Sequence, residues 1–124
     1  MNKEKLNLWD RSFELYISYS CYPGEVITDI QKAAAKEFCD NTSVVFSALN
    51  ELKDYIQKTS NASIKASGIN NIFKYIMPKS IFIPRTNEKV VAIICNYKFD
   101  IEHGIAVVFE NGQFKEIGPQ DIIL

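Results

Sequence analysis

Six consecutive apolar residues at positions 90–95, Val-Val-Ala-Ile-Ile-Cys, constrain this chain more than any other feature. Side chains of a β-strand alternate between the two faces of its sheet, so a strand apolar at every position must be covered on both faces. Residues 89–97 are therefore predicted to form a central strand. Thr86-Asn87-Glu88 supplies a turn before it, and residues 105–110 form a second strand after it. Asn111-Gly112, the dipeptide best suited to a two-residue hairpin turn, then leads to a third strand over 113–117. The result is an antiparallel meander.

Upstream, Phe13, Leu15, Ile17 and Tyr19 alternate with Glu14, Tyr16 and Ser18, the period of a half-buried strand. After a turn at Pro23-Gly24, a helix is predicted from Glu25 to about Asp40-Asn41, with Ile27, Ile30, Ala34 and Phe38 on one stripe. A second helix follows, with Thr42 or Ser43 as its cap and Val45, Ala48, Leu49, Leu52 and Ile56 as its apolar face. Their short connection implies an antiparallel helical hairpin. Residues 58–71 break every period, with Ser67-Gly68 as the loop centre, and a short helical turn falls within 71–77. Residues 80–83 read as an edge strand blunted by Pro84, and 121–124 as a docking C-terminal strand. The expected fold is a single α+β domain over 1–124. Its mainly antiparallel sheet has one N-terminal strand and a C-terminal meander, packed by a helical hairpin.

Composition narrows function by exclusion. With 14 basic and 15 acidic residues the net charge is −1, which leaves no broad basic surface for nucleic acid. No apolar run reaches the about 18 residues of a membrane span, and MNKEKLNLWD has no apolar segment behind it to act as a secretory signal, so a cytoplasmic location is expected. Cys21, Cys39 and Cys95 form no CxxC pair and read as small apolar side chains, Cys21 the more exposed. Asn41-Thr42-Ser43 and Asn61-Ala62-Ser63 match the glycosylation tripeptide but fall where helix ends and loops explain them.

Chemistry-bearing side chains concentrate in FDIEHG, residues 99–104, which holds the sole histidine. Asp100, Glu102 and His103 would suit a metal site that recruits a distant carboxylate such as Glu110 or Asp121. They would also suit a hydrolase in which Asp100 and Glu102 share a face. A structural corner needs less: Asp100 accepts backbone N–H bonds, Gly104 relaxes the backbone and His103 bonds across the connection to fix register. A fourth reading is partner contact, with Tyr97 and Phe99 beside exposed charge. The structural corner is favoured, with no metal or cofactor assigned.

The segment FDIEHGIAVVFENGQFKEIGPQDI resembles the C-terminal half of a family of small bacterial α+β domains of unknown function, typified by Trp or Phe, then Asp-x-Glu-His-Gly and a strand. Trp9, Gln31, Phe38, Tyr55, Gly118 and Asp121 also sit where such proteins carry similar residues; Phe99 stands where tryptophan is frequent, which keeps the packing role. Proteins of this look often act as immunity proteins, cytoplasmic antidotes to bacterial toxins, including those of contact-dependent inhibition. The resemblance implies a non-enzymatic domain, monomeric or homodimeric, that binds a cognate toxin and neither nucleic acid nor membrane. Tyr16, Tyr22, Asp100 and Glu102 are the candidate contact residues. The competing readings are the hydrolase using Asp100, Glu102 and His103, and a structural homo-oligomer subunit.

Overall fold

The computed structural model describes residues 3–60 and 69–124. These form strands β1 (Lys3–Leu8), β2 (Arg11–Tyr19), β3 (Ile76–Ile83), β4 (Val90–Tyr97), β5 (Ile105–Glu110) and β6 (Gln113–Gly118), and helices α1 (Asp29–Asp40) and α2 (Leu49–Thr59). The six strands make one sheet in chain order, antiparallel throughout except for the parallel pair β2–β3. That exception follows from connectivity, because the chain leaves β2, runs through both helices and returns to start β3 at the opposite end. The α+β class and the β4–β5–β6 meander match the expectation from sequence.

β4 lies inside the sheet, between β3 and β5. Its Val91, Ile93, Cys95 and Tyr97 join the larger core with Ala34, Phe38, Val45, Leu52 and Ile56 of the helical layer. Val90, Ala92 and Ile94 face the other way, against Ala106 and Val108 of β5, with Phe82 and Ile123 packed over them. The C-terminal residues accordingly form no strand. A 3-10 turn, Gln120–Ile122, brings Ile123 onto that outer face.

Several boundaries differ from the sequence reading. β3 is an interior strand running from Ile76, where an edge strand over 80–83 was expected. Pro78 is tolerated there because the register with β4 shifts between Pro78 and Ser80, a bulge that removes the need for its missing N–H. α1 starts at Asp29 and not Glu25, because Thr28 and Gln31 form a reciprocal cap: Gln31 N donates to Thr28 Oγ1 (3.1 Å) and Thr28 N to Gln31 Oε1 (2.9 Å). This start rotates the buried stripe to Gln31, Ala34, Ala35 and Phe38, leaving Ile30 exposed. Buried Gln31 is satisfied by donating Nε2 to the carbonyls of Ser20 and Ile83. Thr42 and Ser43 cap no helix; they open a 3-10 turn, Thr42–Ala48, that runs directly into α2. Of the expected apolar face, Val45, Ala48, Leu52 and Ile56 are buried and Leu49 is half-buried. The Ser67-Gly68 loop centre and the Asn61 tripeptide lie outside the described residues.

β1 was not expected, although Leu6 and Leu8 alternate with Lys5 and Asn7. Its turn into β2 conceals it, because Trp9 (φ 52°) and Asp10 (φ 67°) hold the paired positive φ values of a type I′ turn without glycine or asparagine. Burial of the indole offsets the backbone cost: Trp9 is 6% exposed, and its Nε1–H donates to the Val45 carbonyl at 2.8 Å. Asp10→Gly should relieve the second strained position and raise stability by about 0.5–1 kcal/mol. Trp9→Phe should lower it by about 1–3 kcal/mol, because the buried indole's hydrogen bond to the Val45 carbonyl is lost and the smaller ring underfills its site. Urea denaturation midpoints measure both.

Candidate functional site

Tyr97 ends β4, and the chain must reverse to enter β5 at Ile105. The reversal is made by residues 99–104 through a dense set of local bonds. Asp100 N donates to the Tyr97 carbonyl (3.3 Å), and Gly104 N to the Asp100 carbonyl (2.9 Å). The Asp100 carboxylate accepts from the His103 backbone N–H (3.1 Å) and bonds the same residue's ring, Oδ1 to Nδ1 at 3.0 Å. Gly104 adopts φ +58°, and a Cβ there would lie 2.6 Å from the Cys95 carbonyl and against the Gln120 side chain. Only glycine fits.

Contrary to the expectation from sequence, the imidazole does not reach across the connection; it turns back to Asp100, three residues earlier. The crossing bonds are made by Gln120, whose N–H donates to the His103 carbonyl (3.0 Å) and whose Nε2 donates to the Cys95 carbonyl (3.1 Å). The hydrogen bond and negative charge of Asp100 raise the His103 pKa above its ordinary value, with smaller contributions from Glu102 and Asp121. Beneath the corner, Phe99 stacks on Tyr75 (5.8 Å) and lies edge-on to Tyr97 (5.7 Å), which in turn meets Tyr55. Tyr97 is anchored by its hydroxyl, 2.5 Å from that of Thr59.

Asp100 orients the His103 ring as an acid would orient a general base, but the ring is half exposed and Glu102 is fully on the surface. The nearest groove, about 380 Å³ between residues 73–77 and 96–98, is lined by Ile101 and by none of Asp100, Glu102 and His103. Among the described residues no three His, Cys, Asp or Glu side chains converge so as to hold a metal ion. Of the carboxylates a metal site would recruit, Glu110 is engaged by Lys115 at 3.1 Å.

Ile101, at the tip of the corner, is 86% exposed, the most exposed large apolar side chain among the described residues, and Met77 beside the same groove is 40% exposed. The sequence reading passed over Ile101. Its signal was an apolar residue between two acids in an otherwise polar turn. Tyr16 lies on the outer face of β2 beneath the Lys3 ammonium, and Tyr22 (73% exposed) in the loop after β2. Because β2 and β3 run parallel, that loop sits at the Ile83 end of β3, whereas the corner sits at its Ile76 end. Seven strand residues, about 23 Å, separate the two ends. The structure thus keeps Tyr22 apart from Asp100 and Glu102. Burial pushes the Cys95 thiol up and, to a lesser degree, that of Cys39; Cys21 is exposed.

The family whose model matches this chain is one of domains whose function is unknown. The chain belongs to it: residues 2–124 match the family described as Domain of unknown function (DUF6985). No curated protein and no solved structure matches the chain.

Two measurements probe the corner. The His103 ring should titrate by NMR above about pH 6.5, and Asp100→Asn should bring the midpoint down. Since the folded-state value is the higher one, the stabilisation from this pair is complete below the unfolded-state value and disappears as pH rises through the folded one. Gly104→Ala should cost about 2–4 kcal/mol, from left-handed backbone strain and overpacking against Cys95 and Gln120, read as a fall in melting temperature.

Proposed function

We propose that this domain is a non-enzymatic protein-binding module that acts as an immunity protein, inhibiting a cognate bacterial toxin in the cytoplasm by occupying its surface. The observation that supports this is Ile101: an 86% exposed branched side chain held on a corner whose polar groups are bonded to one another. A side chain presented on a rigid turn loses little conformational entropy on binding, and burying it in a partner's pocket makes it an anchor. Asp100 and Glu102 flank it, as a knob meeting the basic cleft of a nuclease would require. The toxin assignment rests on the resemblance of the FDIEHG segment.

The test is co-expression with the toxic reading frame adjacent to the gene. The two products should co-purify, and Ile101→Asp should weaken the complex by at least about 30-fold while leaving the melting temperature unchanged. Failure to co-purify counts against the immunity role. A hydrolytic activity abolished by His103→Ala without loss of stability would replace it with the enzyme reading, and a stable homodimer closed over Ile101 with the structural one.

A further inference from the structure

At the opposite end of β4 from the corner lies a recess of about 100 Å³, independent of the protein-binding reading. Its apolar lining is Phe38 of α1, Val44 of the 3-10 turn, Val91 of β4 and Phe109 of β5, and Asn41 and Gly112 line it as well. The Phe38 and Phe109 rings meet at 6.1 Å, and Phe109 is held edge-on by Phe114 at 6.3 Å, so the apolar floor is built before anything enters. At the mouth, Lys89 Nζ and Glu37 Oε2 form an ion pair at 2.6 Å, its side chains 44% and 60% exposed. An exposed pair of this kind contributes little to stability and opens at small cost. Glu37 also lies in the last turn of α1, which carries no basic side chain, so the negative end of the helix dipole adds to its attraction for a cation.

We propose that this recess binds a small aliphatic zwitterion, an apolar α-amino acid of valine or leucine size. The ligand's ammonium takes the Glu37 carboxylate, its carboxylate takes the Lys89 ammonium, and its aliphatic tail fills the apolar floor. Size agrees: at roughly 30 Å³ per water-sized unit the volume takes about three to four non-hydrogen atoms, the number in those side chains. The charged pair at the mouth distinguishes such a ligand from a fatty acid or an alkylamine, each of which would satisfy one partner only.

Titration of valine and leucine into the ¹⁵N-labelled chain should give saturable amide shifts around Phe38, Val44, Val91 and Phe109, with dissociation constants on the order of 1 mM. Isovalerate and isobutylamine should each bind at least about fivefold more weakly. Lys89→Met should weaken valine binding by a similar factor but not isobutylamine binding, and Glu37→Gln should weaken isobutylamine but not isovalerate. Val44→Phe, which fills the recess, should abolish all of it. Absence of saturable shifts at these residues overturns the site, and binding indifferent to both surface variants overturns the zwitterion assignment. Both variants are at exposed positions, so the test survives if Val44→Phe fails to fold.

Discussion

The architecture turns on the two-sided burial of β4. Val90 and Val91, Ala92 and Ile93, Ile94 and Cys95 point alternately into two apolar layers, none more than 5% exposed. A strand of this kind cannot sit at an edge, and neither of its faces can be left to water. The helical layer covers one. On the other the cover is slight: Phe82 from the neighbouring strand and Ile123 from the turn after β6. The parallel β2–β3 pair follows from the same demand, since the helices must cross one face between those strands.

Period and turn chemistry made the meander readable. Alternation identified β2, the unbroken apolar run identified β4, and Asn111-Gly112 adopts the positive φ values that its residue types favour. What escaped were places where tertiary contacts override local preference. Trp9 and Asp10 look nothing like a hairpin turn, and only the buried indole bonded to Val45 makes that turn tolerable. Pro78 reads as a strand breaker until a bulge accommodates it. α1 shifted by four residues because Gln31, polar and apparently surface-bound, belongs to the cap and to the core at once. No periodicity argument assigns a buried glutamine.

The corner was legible in kind and less so in detail. An Asp three residues before a His, with glycine next, is enough to predict a self-bonded turn. It is not enough to choose between an imidazole reaching across strands and one folded back onto its own acid, a choice made here by Gln120, sixteen residues beyond Gly104 in the chain. Ile101 escaped for a related reason, since an apolar residue in a turn is usually tucked beneath it and only coordinates show this one standing clear.

Gln120 also joins two structural demands that the sequence presents separately. The turn it begins lays Ile123 over the outer layer, while its own amide groups hold the His103 and Cys95 carbonyls. The C-terminal turn therefore covers β4 and clamps the end of the same strand's connection to β5. Exposure of Ile101 costs little order because the backbone on either side is bonded to groups that cannot move without uncovering apolar surface. A side chain at a mobile loop tip would have to be ordered by its partner at the expense of affinity; one mounted on this clamp is ordered already. The constraint that fixes the fold is the one that makes the exposed Ile101 a candidate for recognition.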